Sequence, residues 1–176
     1  KFGGASLADA SAVRRAVDLG RRRRGPLVVV VSAMAGVTVS LLDGARAALR
    51  GETTLAEQAV EAFAKKHHAA VETLLRGAER RRLHAVVDAA TTEYRDLLRA
   101  VATLKDLAPR TSDLLVSRGE RTATALVAAA LNAASQRASA VDALAFVVTD
   151  GQHGSATPDI AATRPGARRT LLAFVR

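Results

Sequence analysis

Apolar residues recur at helical spacing through the middle of the chain. Leu55, Val60, Phe63, His67, Val71 and Leu74 follow one another at three- to five-residue steps. After the basic run of Arg80, Arg81 and Arg82, the pattern resumes with Leu83, Val87, Ala90, Tyr94, Leu97, Val101 and Leu104. Each series places one apolar stripe along a helix. Residues 54–109 therefore read as a helical hairpin, whose work is to cover a site or hold a partner; the stretch contains no convincing catalytic cluster.

The flanking chain follows another rhythm. Lys1-Phe2-Gly3-Gly4-Ala5-Ser6 reads as a strand end running into a glycine turn. Val13, Ala16, Val17 and Leu19 then give an amphipathic helix, stopped by Gly20, four arginines and Gly25-Pro26. Residues 27–31 are Leu-Val-Val-Val-Val, a β-branched run that predicts a strand covered on both faces. A second glycine-containing turn, 32–38, leads into a helix with Leu41, Leu42, Ala45 and Leu49 inward. Strand, helix, strand is the start of a parallel α/β layer. Two successive strands ending in such turns at one sheet edge mark the place where open α/β folds put ligands.

Further on, a helix is predicted from about Ser112 to Ala134, with Ser112 or Asp113 near its cap and Leu126, Val127 and Ala130 buried. Residues 138–141 and 146–149 read as short extended segments and 150–154 as a loop. Pro158-Asp159 opens a final stretch that is helical over 168–175. The apolar run 171–175 meets Arg176 without a cap or stop signal, so a continuing core element is expected.

Composition narrows the chemistry. Of 176 residues 49% are hydrophobic but only 3% aromatic, so the core must be built from Ala, Leu and Val. Absence of cysteine removes disulfides, thiolate nucleophiles and the usual soft zinc ligands. Residues 27–31 are far too short to span a bilayer and no signal-type segment precedes them, so no membrane role and a cytoplasmic setting are the expectation. Lys and Arg number 26 against 17 Asp and Glu, a formal charge of +9 that raises polyanion binding. The arginine clusters lack interleaved aromatic residues and sit where helices end, so no specific nucleic-acid partner is expected. Adjacent helix positions point about 100° apart, so His67 and His68 do not share a metal-binding face, and no metal site is predicted. Tyr94 reads as a packing residue with its hydroxyl at the surface.

Three places could carry chemistry. Lys1 beside Gly3 and Gly4 combines a cation with backbone that can approach phosphate closely, yet it matches neither the phosphate loop of nucleotide-binding proteins nor the dinucleotide fingerprint. A simple turn explains it equally. Ser32 and Thr38 flank Gly36 and could present hydroxyl donors to a carboxylate, or cap the following helix. Glu120, next to a helix-weakening Gly119, could hold a ligand ammonium group or be a solvated charge.

Together these residues carry a resemblance. Lys1-Phe2-Gly3-Gly4-Ala5-Ser6 resembles the Lys-Phe-Gly-Gly-Thr-Ser opening of aspartate kinases, with Ala5 for the usual Thr. Ser32-Ala33-Met34-Ala35-Gly36-Val37-Thr38 is similar to their Ser-Ala-x-x-Gly-x-Thr loop, and Ser117-Arg118-Gly119-Glu120 to their Ser-x-Gly-Glu motif. Thr149-Asp150-Gly151-Gln152-His153-Gly154-Ser155-Ala156 resembles the Thr-Asp-x-x-His-Gly-x-Ala loop of part of that family.

The resemblance implies an α/β fold: a three-layer α/β/α sandwich of the amino-acid kinase type with a mainly parallel sheet. Residues 1–176 would be the N-terminal portion of that domain, with the hairpin inserted at about 54–109. It implies transfer of the γ-phosphoryl group of ATP, with Mg2+, to the side-chain carboxylate of L-aspartate, on the route to lysine, threonine and methionine. By likeness Lys1 is catalytic, Gly3, Gly4 and Ser6 shape the phosphate turn, and Ser32, Thr38 and Glu120 bind substrate. The full-length protein would be a homo-oligomer, with nucleotide-holding segments and a substrate-gripping arginine beyond Arg176 that leave this portion inactive alone. Other amino-acid kinases, such as acetylglutamate or glutamate kinases, are the enzymatic alternative; the Ser-x-Gly-Glu motif after a long insertion argues against them. A catalytically silent structural or interaction fragment is the other.

Overall fold

The computed structural model describes residues 1–174, so Val175 and Arg176, the end of the predicted final helix and apolar run, lie outside the described residues. Six α-helices account for most of the chain: α1 (Ala10–Arg21), α2 (Val37–Arg50), α3 (Thr53–Leu74), α4 (Gly77–Leu104), α5 (Pro109–Ala133) and α6 (Ile160–Leu172). Single 3₁₀ turns stand at Gly4–Leu7 and Ala143–Ala145.

This overturns the expected three-layer α/β sandwich. Among the described residues there is no β-strand, only two isolated bridges, Phe2 with Val31 in parallel sense and Thr149 with Pro158 in antiparallel sense. The reason lies in what a strand needs. Residues 27–31 are extended, but Phe2 alone pairs with them: its N–H donates to the Val30 carbonyl at 2.8 Å and its carbonyl accepts from Ser32 N–H at 3.1 Å. One residue of partner cannot make a ladder. Leu27, Val28 and Val30 stand exposed, so the β-branched run is not covered on both faces either.

The helices are stitched by small-residue packing and ion pairs. Asp9 caps α1 by accepting Ala12 N–H at 2.8 Å. Gly36 begins α2 at φ 78°, a left-handed conformation that costs glycine nothing. α3 and α4 run antiparallel, pinned by Glu57 with Arg95, Phe63 with Tyr94 (ring centroids 5.9 Å apart) and Glu72 with Arg80. Leu55 and Leu104, expected inside, are exposed near the hairpin's open end, while Thr91 and Leu98 complete the buried stripe.

α2 lies against α3, α4 and α5, and α1 against α3 and α5. The core holds Leu7, Val13, Leu41, Val60, Phe63, Leu83, Val87, Tyr94, Leu115 and Leu126. α5 begins at Pro109, three residues before the predicted start, with Ala108 at its cap; Asp113 is turned to other use. α6 is capped by Asp159, which accepts Ala162 N–H at 2.9 Å, and it buries no residue.

Tyr94 corrects another expectation. It is fully buried, and its hydroxyl donates to the Leu41 carbonyl at 3.0 Å, joining the hairpin to the first turns of α2. Burial, with the Asp43 carboxylate nearby, pushes its phenol well above the ordinary range. His67 is buried too: Nδ1 meets the Phe63 carbonyl at 2.8 Å, Nε2 has no partner, and burial holds the imidazole below its usual value.

Two outcomes follow. Tyr94→Phe should cost about 1 kcal/mol, the worth of one buried hydrogen bond, read from urea unfolding at constant slope. Because the folded state depresses His67, its contribution is complete above the unfolded value of about 6.5 and is lost as pH falls through the lower folded value. Melting temperatures measured on the two sides of that window should therefore differ less in His67→Leu than in the parent chain.

Candidate active site

The segment 32–38 is where three of the sequence motifs meet. The Phe2–Val31 bridge lays the first turn beside it, and Gly4 comes so near that a Cβ there would stand 3.5 Å from the Ala33 carbonyl oxygen and 3.5 Å from Ala35 Cα. From the other side comes α5. A Cβ on Gly119 would be 2.8 Å from Val37 Cγ1 and 2.9 Å from Ala33 Cβ, a separation only glycine permits without displacement. Glu120 is the next residue, exposed at the surface.

Individual side chains differ in how they are held. Lys1 is exposed at the start of the bridge. Gly3 is extended at φ −86°, with open space where a Cβ would go, so neither conformation nor contact demands glycine there. Ser6 N–H closes the turn onto the Gly3 carbonyl at 2.9 Å, leaving its exposed side chain outward. Ser32 Oγ makes a long 3.4 Å contact to the Ala33 carbonyl. Thr38 lies half-buried in the first turn of α2, and neither hydroxyl caps that helix. Among the described residues no hydrogen bond or salt bridge engages the Thr38 hydroxyl, the Ser6 hydroxyl or the Glu120 carboxylate, so all three remain available to a ligand.

Reasoning from sequence missed three features. A small cavity of about 190 Å3 adjoins the segment, lined by Ala35, Gly36, Val37, Ser40 and, from α3, Ala62, Phe63 and Lys66. No sequence signal marked Lys66, because only the packing of α3 on α2 brings it there. Arg118, inside the third motif, pairs with Glu93 of α4 and so ties the hairpin to the turn that carries Glu120. Glu72 stands four residues after His68 and Asp88 four after His84, a spacing that puts each pair on one helix face and could have been read directly.

The fourth motif docks on the start of α5. Asp113 accepts the Gly154 N–H at 2.9 Å and faces His153 Nδ1 at 3.1 Å. Within the loop, Asp150 accepts N–H groups from Gln152 (3.0 Å) and Thr157 (3.1 Å), which hold its carboxyl below the usual range. Two helical turns, about 10 Å, separate Asp113 from Glu120 along α5. Among the described residues no three imidazole, carboxylate or thiolate side chains converge to hold a metal ion. No helix among them is long and apolar enough to cross a membrane.

Residues 1–169 match the amino acid kinase family. Among characterised proteins, aspartokinase 1 of Arabidopsis thaliana, a chloroplastic protein, is 33% identical over 156 residues, covering 85% of this chain and 26% of that protein. Lysine-sensitive aspartokinase 3 of Escherichia coli is 31% identical over 175 residues, 98% of this chain and 36% of that one. The chain thus spans about a quarter to about a third of the length of these relatives. Two crystal structures of E. coli aspartokinase III superpose on it. The complex with aspartate and ADP gives a TM-score of 0.83 at 30% identity, and the complex with lysine and aspartate 0.88 at 29%; each covers 99% of this chain and 37% of the other.

The contacts around Gly119 and Asp113 set separate expectations. Gly119→Ala should destabilise by about 2 kcal/mol, since Ala33 and Val37 are themselves buried and must shift, whereas Gly4→Ala meets ordinary contact distances and should cost less. Asp113→Ala should leave global stability nearly unchanged but raise the hydrogen-exchange rate of the Gly154 amide.

Proposed function

The chain belongs to the amino acid kinase family, and from that premise we propose that it forms the acceptor side of an aspartate kinase. The reading covers the full-length protein of which this chain is about a third by comparison with its relatives. One observation supports it: the Gly4 turn and Gly119 of α5 both pack onto segment 32–38, the three stretches whose motifs carry the assigned residues. Aspartate and ADP, held by the superposable E. coli enzyme, supply the ligand class.

In this reading Glu120 pairs with the α-ammonium group of L-aspartate, while Ser32 and Thr38 donate hydroxyl hydrogen bonds to its carboxylates. One oxygen of the side-chain carboxylate attacks the γ-phosphorus of ATP. The new carboxyl-oxygen to phosphorus bond forms as the bond to the β-phosphate oxygen breaks, giving 4-phospho-L-aspartate and ADP. Substrate is its own nucleophile, so the protein's task is alignment and charge compensation. Lys1 ammonium offsets the charge spread over the transferring group, and Gly3, Gly4 and Ser6 let backbone come near it. Mg2+ would accompany ATP and offset its phosphate charge; among the described residues no three imidazole, carboxylate or thiolate side chains gather to hold it.

Kinetics of a full-length enzyme carrying this segment test the assignment, with ADP release coupled to NADH oxidation. Lys1→Ala should lower kcat by about a hundredfold with little change in the aspartate KM, because its charge acts where phosphoryl charge develops. Glu120→Gln and Thr38→Ala should instead raise the aspartate KM. Unchanged KM and kcat in Glu120→Gln would remove that residue from the site, and turnover on glutamate or acetylglutamate in preference to aspartate would replace the substrate.

A further inference from the structure

The polar cluster between α3 and α4 has no part in the proposed kinase chemistry. His68 and Glu72 stand four residues apart on α3, His84 and Asp88 four apart on α4, and the antiparallel packing interlocks them crosswise. His68 Nε2 is 2.9 Å from Asp88 Oδ1, and His84 Nε2 is 2.6 Å from Glu72 Oε1. The other Glu72 oxygen accepts from Arg80 at 3.1 Å. The two Nδ1 atoms face one another at 2.6 Å, with ring centroids 4.8 Å apart.

We propose that His68 and His84 hold a single shared proton between their Nδ1 atoms, forming a one-proton clasp near the hairpin turn. An ionised carboxylate only accepts, so His84 Nε2, hydrogen-bonded to Glu72, carries hydrogen, and His68 Nε2, 2.9 Å from Asp88 Oδ1, is paired with a carboxylate in the same way. His84 and Arg80 keep Glu72 below the usual carboxylate range, which maintains that arrangement. The outer positions being taken, only the inner ones can vary. Two bare Nδ1 lone pairs at 2.6 Å repel, and two N–H groups at that distance collide; one proton makes an N–H···N hydrogen bond. Four ring nitrogens therefore carry three protons, and the resulting cation lies between two carboxylates.

Distance separates this from a metal site. Two imidazole nitrogens on one tetrahedral zinc, each at about 2.0–2.1 Å, stand about 3.3 Å apart. The observed separation is shorter, and among the described residues no third ligand joins the two rings.

The charges around the clasp come from several elements. α3 contributes Lys65 one turn before His68 and Glu72 one turn after it. α4 contributes Arg80, one turn before His84, then Arg81 and Asp88. From α1, Arg14 reaches the Thr73 carbonyl at 3.5 Å. The charges of α2 and α5 that meet the hairpin, Asp43 and Arg118, lie toward Tyr94 and Glu93 at its other end. Loss of the shared proton, or gain of a second, forces the rings apart and loosens the α3–α4 pairing on which Tyr94 and Arg118 depend.

Nitrogen-15 NMR of the histidine side chains in this 176-residue chain tests the clasp without any substitution. The expected result is one strongly deshielded N–H proton correlated with Nδ1 of both rings. His68→Gln and His84→Gln should each abolish that resonance. Absence of a shared proton at every pH where the chain is folded would overturn the proposal. So would a Zn2+-dependent rise in melting temperature that disappears in both variants, because it would make the pair a metal site.

Discussion

Backbone approach around segment 32–38 is the constraint from which the arrangement of the other elements follows. Ala33 and Val37 are buried between the Gly4 turn on one side and Gly119 of α5 on the other. Dispersion at such contacts is individually small but requires matched surfaces, and a side chain at Gly119 would separate them. The first turn, the second turn and α5 thus share this one seam. Lys1 precedes the bridging Phe2, Ser32 N–H donates to the Phe2 carbonyl, Thr38 follows the buried Val37 and Glu120 follows Gly119.

The helical hairpin is held against that seam rather than being a separate body. Tyr94 donates to the α2 backbone just past Thr38, Phe63 stacks beside it, and Arg118 joins Glu93 next to Gly119. Buried polar atoms of this sort specify position, since an unsatisfied partner costs more than a satisfied one contributes. Toward the hairpin turn the cohesion changes in kind, from aromatic packing to the His68–His84 cluster with its carboxylates. Aromatic packing is thus confined to one part of the hairpin, while ion pairs such as Glu57–Arg95 and Glu72–Arg80 occur toward both ends.

Much of the helical content was legible from spacing. The stripe through Val60, Phe63, His67 and Val71 and its continuation through Leu83, Val87 and Tyr94 are buried as helical periodicity requires. Leu55 and Leu104 were misjudged because periodicity specifies a face but not whether another element covers its end. The sheet was misjudged for a related reason: β-branched residues 27–31 do adopt extended backbone, but strand formation depends on partners, and here only Phe2 pairs with them. Tyr94 illustrates the same limit at one atom, since composition cannot say that a hydroxyl has an α2 carbonyl to meet.

What the sequence determined by itself was local: where helices run, where glycine interrupts them, and which residue types recur in the order of the amino acid kinase family. Those properties depend on neighbours within a turn or two, which the linear pattern records. Tertiary structure alone decided that residues 27–31 stay without a ladder, that Lys66 lines a cavity beside Gly36, and that two histidines sixteen residues apart meet nitrogen to nitrogen. Each of these rests on contacts between segments distant in sequence, whose geometry follows from packing of the whole and is not encoded in any one stretch.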